Sequence, residues 1–403
     1  MVRNSARSIV GAIAGAAARW SDPGFSRRAR ARDAVSERTG YSSPAVDHAF
    51  DVLFRSLRRD TIEAVIADEL GGLDVLDAFS KRSGRPRTRA LPAGRVCILS
   101  SRTTVGVAIV PAVFALCAKC DVLVKDREDH LVAAFFETLA EELPALRDAA
   151  VARAWSAHDA LPGNLNAFDA VVAFGSDPTL ADVAKSLPIR TRLIPYPSKA
   201  SAGYVGREGL AHQAAAQTVA RGAARDLVLY ESEGCLSLHA LFVERDGAIA
   251  PGRFVELLTG EIRAASAAFP PGSRAAESSA RRAVTRDLET FRATGGRMFS
   301  DRDAGYLAVL DPPAGDPPAF LPLTVGVRSV ERPSQAAEYL ERHGIAIEAL
   351  AVSAARPDVL EMAERIGAAR VTPFGALQSP PLGAFHGGRP RIAEFVRWVV
   401  DET

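Results

Sequence analysis

The sequence lacks an excess of charge of either sign. Its 403 residues include 49 Lys and Arg against 48 Asp and Glu, which gives a formal net charge of +1. Proteins that bind nucleic acid depend on concentrated positive charge, so this balance argues against that class. The segment 27–32 is locally basic, and we interpret it as an exposed loop or helix face.

Cysteine is also scarce, with four in the chain. So few cysteines in so long a chain do not form a disulfide framework, and we expect a reducing compartment, the cytoplasm. Cys117 and Cys120 have the spacing of a zinc or redox pair, but no second pair or nearby histidine completes a zinc site. We interpret them as packing residues at the end of an apolar helix, and we predict no metal.

Long apolar runs and the common nucleotide motifs are missing as well. No run approaches the ~18 residues that span a membrane. The first 20 residues combine a positive start with an Ala/Gly-rich middle, which we interpret as an amphipathic helix rather than a signal peptide. The absence of G-x-G-x-x-G, G-x-x-x-x-G-K-[ST] and G-x-S-x-G weakens standard Rossmann, P-loop and α/β-hydrolase interpretations.

The chain does have enough apolar residues for full cores, since 48% are hydrophobic. Its length indicates two domains. Residues 1–90 have a helical pattern, with a polar, basic connector over 80–92 at its end. Beyond the connector, apolar runs predict strands at 95–99, 121–124, 151–155, 169–174, 192–194 and 203–205. Helices are predicted between them at 105–116, 130–146 and 177–187.

This alternation of apolar strands and amphipathic helices indicates a parallel sheet covered on both faces. In such sheets, ligands bind at the carboxyl ends of the strands. A second α/β unit is predicted from about residue 225. Its strands are expected at 227–229, 239–244, 306–310 and 321–327, and its helices at 252–265 and 273–294. A helix–strand–helix–strand series follows over 333–371, and a final helix over 391–401.

Cys235 is the strongest candidate nucleophile. It lies in the sequence ESEGCLSLH, directly before the strand predicted at 239–244, and Gly234 permits a close backbone approach. A thiolate attacks an acyl carbon and is readily displaced, which suits acyl transfer. A buried, inert cysteine is the alternative. His239 lies four residues after Cys235 and suggests a Cys–His dyad, but residues four apart in a strand are ~13 Å apart along it.

Further candidates follow the strands predicted in the first α/β domain. Lys125 comes directly after one strand and offers a cation to a cofactor ribose, unless it lies in a solvated turn. Gly175 and Ser176 follow another strand and open a helix, which is a natural neighbour of phosphate or nicotinamide. His386 lies in a loop rich in Gly and Pro, for which a purely structural role is the alternative.

These segments, in this order, resemble the acyl-CoA reductase family that includes the fatty-acid reductase of bacterial bioluminescence, within the aldehyde dehydrogenase superfamily. The resemblance is sharpest in EGCLS at 233–237, FGS at 174–176, and PFGALQSPPLG at 373–383, with GRP and FVRW beyond it. It implies an aldehyde-dehydrogenase-like α/β fold of two Rossmann-like domains. The expected division is a helical segment over 1–90, a cofactor domain over 91–224, a catalytic domain over 225–371, and a C-terminal segment over 372–403 that packs back on the cofactor domain.

The resemblance also implies roles for the candidates. Cys235 would carry the acyl group as a thioester, and its own N–H would help to hold the oxyanion. Lys125 would touch the adenosine ribose, and Glu128 would share its hydroxyls. Gly175 and Ser176 would line the cofactor cleft. The expected reaction reduces an acyl thioester, either acyl-CoA or acyl held on a carrier or partner protein, to an aldehyde.

The cofactor implied by the family is NADPH, with NADH as the alternative. Arg127 would accept a 2′-phosphate, whereas Glu128 would disfavour one. The expected partners are the thioester donor and, in addition, either a second copy of the chain or an acyl-activating enzyme.

Two departures from the superfamily pattern stand out. Aldehyde-oxidising relatives carry a glutamate base in the stretch that here reads IPYPSK, where Tyr196 stands instead. Without a base, water is poorly activated, which favours reduction over oxidation to an acid. The oxyanion asparagine expected after the first strand is missing too, and Arg102, Thr103 and Thr104 are the candidate substitutes.

Three aromatic or imidazole side chains remain as substrate or cleft candidates: Tyr196, His239 and His386. The missing asparagine also motivates an alternative function, that of a catalytically impaired, acyl-binding partner protein. A second alternative within the superfamily is an acyl-phosphate reductase, against which the C-terminal pattern argues.

Overall fold

The computed structural model describes residues 4–81, 86–101, 104–126, 130–155, 165–272, 283, 284, 287, 298–301, 305–313, 315–318 and 320–403. The chain divides into two compact units. The first unit consists of Met1–Thr39, Val46–Ser198 and Pro381–Thr403, and the second of Gly40–Ala45 and Lys199–Pro380.

Helices and strands alternate through most of the described chain. The helices are α1 Ala6–Trp20, α2 Ser26–Thr39, α3 Ser43–Ser56, α4 Arg59–Leu70, α5 Ile109–Cys117, α6 Leu131–Glu142, α7 Asp177–Ser186, α8 Gln213–Val228, α9 Pro251–Ala268, α10 Pro333–Arg342 and α11 Pro357–Arg365. The strands are β1 Arg87–Pro92, β2 Arg95–Leu99, β3 Asp121–Lys125, β4 Ala150–Arg153, β5 Ala170–Phe174, β6 Arg192–Tyr196, β7 Ala200–Val205, β8 Leu238–Glu244, β9 Met298–Asp301, β10 Tyr306–Leu310, β11 Thr324–Val330, β12 Ile347–Val352, β13 Arg370–Pro373 and β14 Val396–Asp401.

A parallel sheet forms the centre of the first unit, with strand order β4-β3-β2-β5-β6. From β2 the chain adds β3 and β4 on one side, then returns to place β5 and β6 on the other. The order therefore reverses between β2 and β5. At such a switch point the connections leave in opposite directions, which opens a crevice at the carboxyl ends of the strands.

The N-terminal helices pack onto this unit through an apolar face. Trp20, at the end of α1, is fully buried and donates a 3.0 Å hydrogen bond from its indole Nε1 to Thr138 of α6. The rings of Phe50, Phe54 and Phe135 surround it. The predicted amphipathic helix is thus confirmed. The basic run is less exposed than expected, because Arg28 is buried and pairs with Asp51 at 2.9 Å.

The C-terminal segment also belongs to the first unit. There β14 pairs antiparallel with β1 to form a two-stranded ribbon. The Glu69 carboxylate accepts hydrogen bonds from three consecutive backbone N–H groups, those of Arg391, Ile392 and Ala393. These groups begin a short 3-10 helix over Ala393–Phe395, so a carboxylate satisfies N–H groups that would otherwise lack partners.

The second unit contains a seven-stranded sheet with order β13-β12-β7-β8-β11-β10-β9. All pairings are parallel except that of β9 with β10. The side chains of β7 and β8 are buried along their whole length, and separate hydrophobic cores cover the two faces of the sheet. The fold class expected from the alternating pattern, α/β with parallel sheets, is confirmed.

Several local predictions are wrong. The apolar run at 227–229, predicted as a strand, is the end of α8 and the start of a 3-10 turn. The helix predicted over 391–401 is instead the 3-10 helix Ala393–Phe395 followed by β14. The connector over 80–92 contains β1. Most of the helix predicted over 273–294 falls outside the described residues.

The division between the units also differs from the expected boundary at residue 225. β7 precedes that residue, and α8 begins before it, yet β7 pairs with β8 and β12 of the second unit. The apolar pattern of β7 shows that it is a buried strand, but it does not show which sheet the strand joins. The pairing partners lie up to about 150 residues further along the chain.

Three cysteines lie in the interior of the first unit. Cys97, Cys117 and Cys120 are at most 1% exposed, and burial raises the pKa of each thiol. The Cys120 Sγ donates a 3.5 Å hydrogen bond to the carbonyl oxygen of Phe395. Across the described part of the chain, no group of three or more metal-ligating side chains occurs. Nor is any helix there long and apolar enough to cross a bilayer.

Candidate active site

Cys235 lies in a tight turn of the second unit, directly before β8. The turn closes on itself, because the Ser237 N–H donates to the Gly234 carbonyl oxygen at 2.9 Å and the Gly234 N–H donates to the Ser237 hydroxyl at 3.1 Å. Gly234 and Ser237 are buried, whereas Cys235 and Leu236 at the tip are half-buried. The sulfur-bearing residue thus occupies the most exposed part of a rigid turn.

Two neighbouring segments fix this turn in place. The Ser201 hydroxyl, on β7, donates a 2.8 Å hydrogen bond to the Cys235 carbonyl oxygen. The Gln378 side-chain amide donates to the Ser237 hydroxyl at 3.0 Å. The backbone of the Cys235 turn is therefore tied to the adjacent strand, and the turn's Ser237 side chain to the loop after β13.

The segment just before the turn has a strained backbone. Tyr230, Glu231 and Ser232 are consecutive non-glycine residues in the left-handed region, with φ of 56°, 50° and 61°. Such residues cost ~1–3 kcal/mol each and persist only where the surroundings hold them. Here the Ser232 hydroxyl donates to the Leu227 carbonyl, and the Leu323 N–H donates to the Glu231 carbonyl.

The turn lies at the amino edge of the parallel sheet, where β7, β8, β12 and β13 begin. Two β-bulges flank β7 at this edge. Ser201 is opposite Leu238 and the next residue is opposite Ala240, so His239 is the extra residue on β8. On the other side the register shifts between Ile347 and Ala349, so Glu348 is the extra residue on β12. Bulges re-aim side chains and are common beside active sites.

Burial dominates the electrostatics of the Cys235 thiol. Burial, together with the nearby Glu348 carboxylate, raises the thiol's pKa to about 12. The Lys199 ammonium lowers the pKa, as do the backbone N–H groups of Cys235 and Leu236. Lys199 and Glu348 form an ion pair at 3.2 Å. The attacking form of the sulfur is the thiolate, so these neighbours control its reactivity.

A second pair of charges lies behind the turn. Asp226, at 0% exposure on α8, accepts hydrogen bonds from the N–H groups of Gly375 at 2.7 Å and Leu377 at 3.1 Å. Burial raises the pKa of Asp226 to about 7. Arg370, the first residue of β13, interacts electrostatically with Asp226, Glu348 and Cys235, while burial lowers its pKa.

The structure does not favour the Cys–His dyad. His239 is 7% exposed, and burial lowers its pKa to about 4, so the imidazole is neutral near pH 7. Its Nδ1 has no hydrogen-bond partner among the described residues, and its ring packs against Phe320 at a centroid distance of 5.1 Å. A neutral, buried ring does not supply the charge that a thiolate needs.

The first unit brings other candidates together at its switch point. β5 ends at Phe174, and Gly175 and Ser176 lead into α7. The Gly175 N–H donates to the Tyr196 carbonyl oxygen at 3.3 Å, and the Ser176 hydroxyl is 2.9 Å from that of Thr179. The first turn of α7 therefore begins at the carboxyl edge of the sheet, where open N–H groups and the helix dipole favour phosphate.

Two cleft candidates stack beside this edge. The rings of Phe174 and Tyr196 are parallel within 9° at 4.7 Å, and His386 stacks on Tyr196 at 4.3 Å. His386 begins a tight turn whose central residues, Gly387 and Gly388, have φ of 60° and 76°. Positive φ at both positions favours glycine, which explains the pair in the sequence. Tyr196 and His386 thus form one aromatic stack.

The remaining candidates of the first unit are only partly described. Lys125 ends β3, is buried, and places its Nζ 5.2 Å from the centre of the Trp155 ring. Thr104 is half-buried in the segment after β2. Four further candidates, Arg102, Thr103, Arg127 and Glu128, lie outside the described residues.

Sequence reasoning did not find the polar residues around Cys235. From the sequence, Lys199 is only the last residue of the stretch IPYPSK, which has no carboxylate. Glu348, Arg370 and Asp226 are not among the sequence candidates. Glu348 and Arg370 lie more than 100 residues from Cys235, and Asp226 lies within an ordinary helix pattern, so no local pattern links them to the cysteine. A buried carboxylate is a rare feature in an apolar strand, and Glu348 in IEALAV was the available signal.

Comparison with known proteins bears directly on this arrangement. The family model described as "Acyl-CoA reductase (LuxC)" matches residues 2–398. The chain belongs to this acyl-CoA reductase family. Family membership and fold together support the reduction of an acyl group to an aldehyde. Among curated proteins, no match to this chain is found.

Solved structures of aldehyde dehydrogenases share the fold of this chain. An NAD-dependent benzaldehyde dehydrogenase from Corynebacterium glutamicum is similar with a TM-score of 0.73 and 15% identity, over 100% of this chain and 87% of that one. Aldehyde dehydrogenase 21 from Physcomitrella patens, solved with succinate, has a TM-score of 0.70 and 12% identity, over 99% and 86%. A 1-pyrroline-5-carboxylate dehydrogenase from Thermus with bound NAD has a TM-score of 0.66 and 14% identity, over 99% and 81%. At these identities the likeness shows the fold.

Proposed function

We propose that this protein reduces an acyl thioester to an aldehyde with NADPH, through a covalent thioester on Cys235. The observation that carries the proposal is the position of Cys235 in a chain of the acyl-CoA reductase family. It is the half-buried cysteine at the tip of a turn held by Ser201 and Gln378, whereas the three other cysteines are buried.

The residues of the turn can carry out the acyl-transfer half of the reaction. The Cys235 thiolate attacks the acyl carbon, the carbon–sulfur bond to the donor breaks, and the donor thiol leaves with a proton. The N–H groups of Cys235 and Leu236 lie beside the sulfur and would stabilise the oxyanion of the tetrahedral intermediate. Rigid anchoring keeps these donors in place while charge develops.

The first unit is the proposed cofactor-binding unit. Its switch point presents the turn Gly175–Ser176 and the amino end of α7, a donor set that suits the phosphates of a dinucleotide. Lys125 ends the strand β3 at the same edge and would contact the adenosine ribose. When bound, a dihydronicotinamide supplies the hydride that converts the enzyme thioester to a hemithioacetal. The carbon–sulfur bond then breaks, which releases the aldehyde and restores the Cys235 sulfur.

The absence of a carboxylate at Tyr196 favours reduction over oxidation. Tyr196 is engaged in a ring stack with Phe174 and His386, so its side chain is not a base for a hydrolytic water. An acyl enzyme without a positioned base for water survives long enough to be reduced or passed to another thiol.

Replacing Cys235 with serine tests the proposal. Wild-type protein should consume NADPH and form aldehyde with acyl-CoAs in a panel of graded chain length. Cys235→Ser should lose at least about a hundredfold in rate, because a serine hydroxyl is much less acidic than a thiol and is a weak nucleophile near neutral pH. Cys97→Ser, a change at a buried cysteine, is the matched control, and it should retain activity in whatever fraction remains folded.

Three outcomes would contradict the proposal. Cys235→Ser protein that forms aldehyde at the wild-type rate would remove the covalent mechanism. Wild-type protein that reduces acyl phosphate but not acyl-CoA would assign a different substrate class. Protein that binds acyl-CoA without forming aldehyde would indicate an impaired, acyl-binding partner. Repeating the assay with NADH tests the cofactor preference, for which we expect the higher kcat/KM with NADPH.

A further inference from the structure

We propose that Lys199 is the counter-ion of the Cys235 thiolate, and that Glu348 opposes it by holding the Lys199 ammonium in an ion pair. Lys199 and Glu348 are then positioning residues that set the ionisation of the nucleophile. The proposal rests on the proposed function, in which Cys235 attacks the acyl group.

Lys199 immediately precedes the strand that anchors the nucleophile. It stands two residues before Ser201, whose hydroxyl holds the Cys235 carbonyl oxygen at 2.8 Å. In an extended chain, residues two apart point to the same face and are ~6.6 Å apart. The ammonium therefore projects on the face of the sheet where the Cys235 turn is bound.

Glu348 reaches the same place because of the bulge in β12. Ile347 and Ala349 are two residues apart, yet they pack into the cores on opposite faces of the sheet, so the strand turns over at Glu348. The carboxylate meets Lys199 at 3.2 Å, with the side chains 17% and 7% exposed for Lys199 and Glu348 respectively. Charges so shielded from water act strongly on a neighbouring thiol.

Arg370 interacts electrostatically with the Cys235 thiol as well, but its side-chain hydrogen bonds go to the loop after β13. The Arg370 guanidinium donates to the carbonyl oxygens of Ala376 and Leu377 and faces Asp226. His239 is a buried, neutral ring.

Within the turn itself, Glu233 is half-buried and adds a carboxylate rather than a cation. Lys199 is thus the cation best placed to stabilise the negative charge of the Cys235 thiolate.

The pH dependence of alkylation tests this directly. The rate of Cys235 modification by iodoacetamide would be followed by peptide mass spectrometry on the full-length protein. Removing the opposing carboxylate with Glu348→Gln should lower the thiol's pKa by about one unit or more, and so speed alkylation at pH 8 about tenfold. The double variant Lys199→Met/Glu348→Gln should lose that gain, because the cation is gone.

Either of two outcomes would contradict the proposal. Glu348→Gln protein that reacts at the wild-type rate or more slowly would overturn the proposal, and slower reaction would instead make Glu348 the base for the thiol. A double variant as fast as Glu348→Gln would exclude Lys199. Asp182→Asn, which breaks an exposed ion pair with Lys185, is the control and should leave the profile unchanged.

Two features keep the test independent of folding and of activity. Should Glu348→Gln fold poorly, Lys199→Arg should keep the wild-type profile and Lys199→Gln should slow alkylation. Alkylation requires no acyl substrate. If the pH profiles are as expected but the protein has no reductase activity, only the proposed function is refuted. If the protein is an active reductase but the profiles differ from those expected, only the role of Lys199 and Glu348 is refuted.

Discussion

At the scale of single residues, Asp226 links the fold to the nucleophile. Its carboxylate binds two N–H groups of the loop Phe374–Gln378, and Gln378 in turn holds Ser237 beside Cys235. The carboxylate has no exposure to solvent, so burial raises its pKa to about 7 despite the two hydrogen bonds. A carboxyl group with a raised pKa binds its proton more tightly in the folded than in the unfolded state.

This raised pKa predicts how the free energy of unfolding depends on pH. The contribution of Asp226 should be fully present below pH ~4, where both states bind the proton, and be lost as pH rises through about 7. Asp226→Asn removes the titration. The stability advantage of the wild type over this variant should therefore shrink by ~1.4 kcal/mol per pH unit across that range and level off above it.

Urea unfolding of both proteins at several pH values between 4 and 8 measures this difference. Asp182→Asn, a change at an exposed carboxylate of α7, controls for the general titration of the protein. An advantage of the wild type that stays constant between pH 4 and 8 would contradict the raised pKa, because it would mean that Asp226 is ionised throughout that range, held charged by Arg370 and the two N–H groups.

Local sequence patterns identify some residues of the candidate site and miss others. Cys235, Gly175 and Ser176 carry local patterns: a cysteine before an apolar strand, and a glycine turn before a helix. Glu348 stands out locally only as a carboxylate in an apolar strand, and Lys199 does not stand out, because their meeting depends on the pairing of β7 with β12 and on a bulge. No local pattern encodes the partner of a strand.

At the scale of elements, the helix α8 packs closely against the loop that supports the nucleophile. A Cβ built on Gly222 would lie 2.6 Å from the carbonyl carbon of Phe374, a backbone atom that cannot move aside on its own. The loop itself turns at Gly375, where φ is 88°. Glycine at position 222 thus allows the helix and the loop to approach.

This contact reverses the usual effect of alanine in a helix. Gly222→Ala should destabilise the protein by ~1–3 kcal/mol, since overpacking outweighs the gain in helix propensity. Gly260→Ala in α9, where nothing lies within 4 Å of the added Cβ, should stabilise it by up to ~1 kcal/mol. Denaturant unfolding of the two variants should give opposite signs, and a stabilised Gly222→Ala would contradict the close packing.

Elements also differ in how well the sequence predicts them. The bounds of β2 and β10 match their predictions because each is a continuous apolar run, as expected for a buried parallel strand. The region of β14 was predicted as a helix because Phe395, Val396 and Val399 also fit a helical spacing. Its strand form depends on pairing with β1, more than 300 residues earlier.

At the scale of the whole molecule, family, fold and nucleophile lead to the same reaction. The chain belongs to the acyl-CoA reductase family and has the fold of aldehyde dehydrogenases. Its first unit has a crevice of the dinucleotide-binding kind, and its second holds Cys235 in a strained, well-anchored turn. Burial raises the pKa of the Cys235 thiol, and Lys199 and Glu348 are the residues that we propose to set its ionisation.

A single-turnover experiment tests the central claim most directly. The protein would be mixed with a stoichiometric amount of acyl-CoA without nucleotide, and its intact mass and modified peptide would be measured before and after NADPH is added. We predict one acyl group on Cys235, which disappears on addition of NADPH with one aldehyde formed per NADPH oxidised. Aldehyde formed at full rate with no acyl adduct at Cys235 at any time would contradict the account.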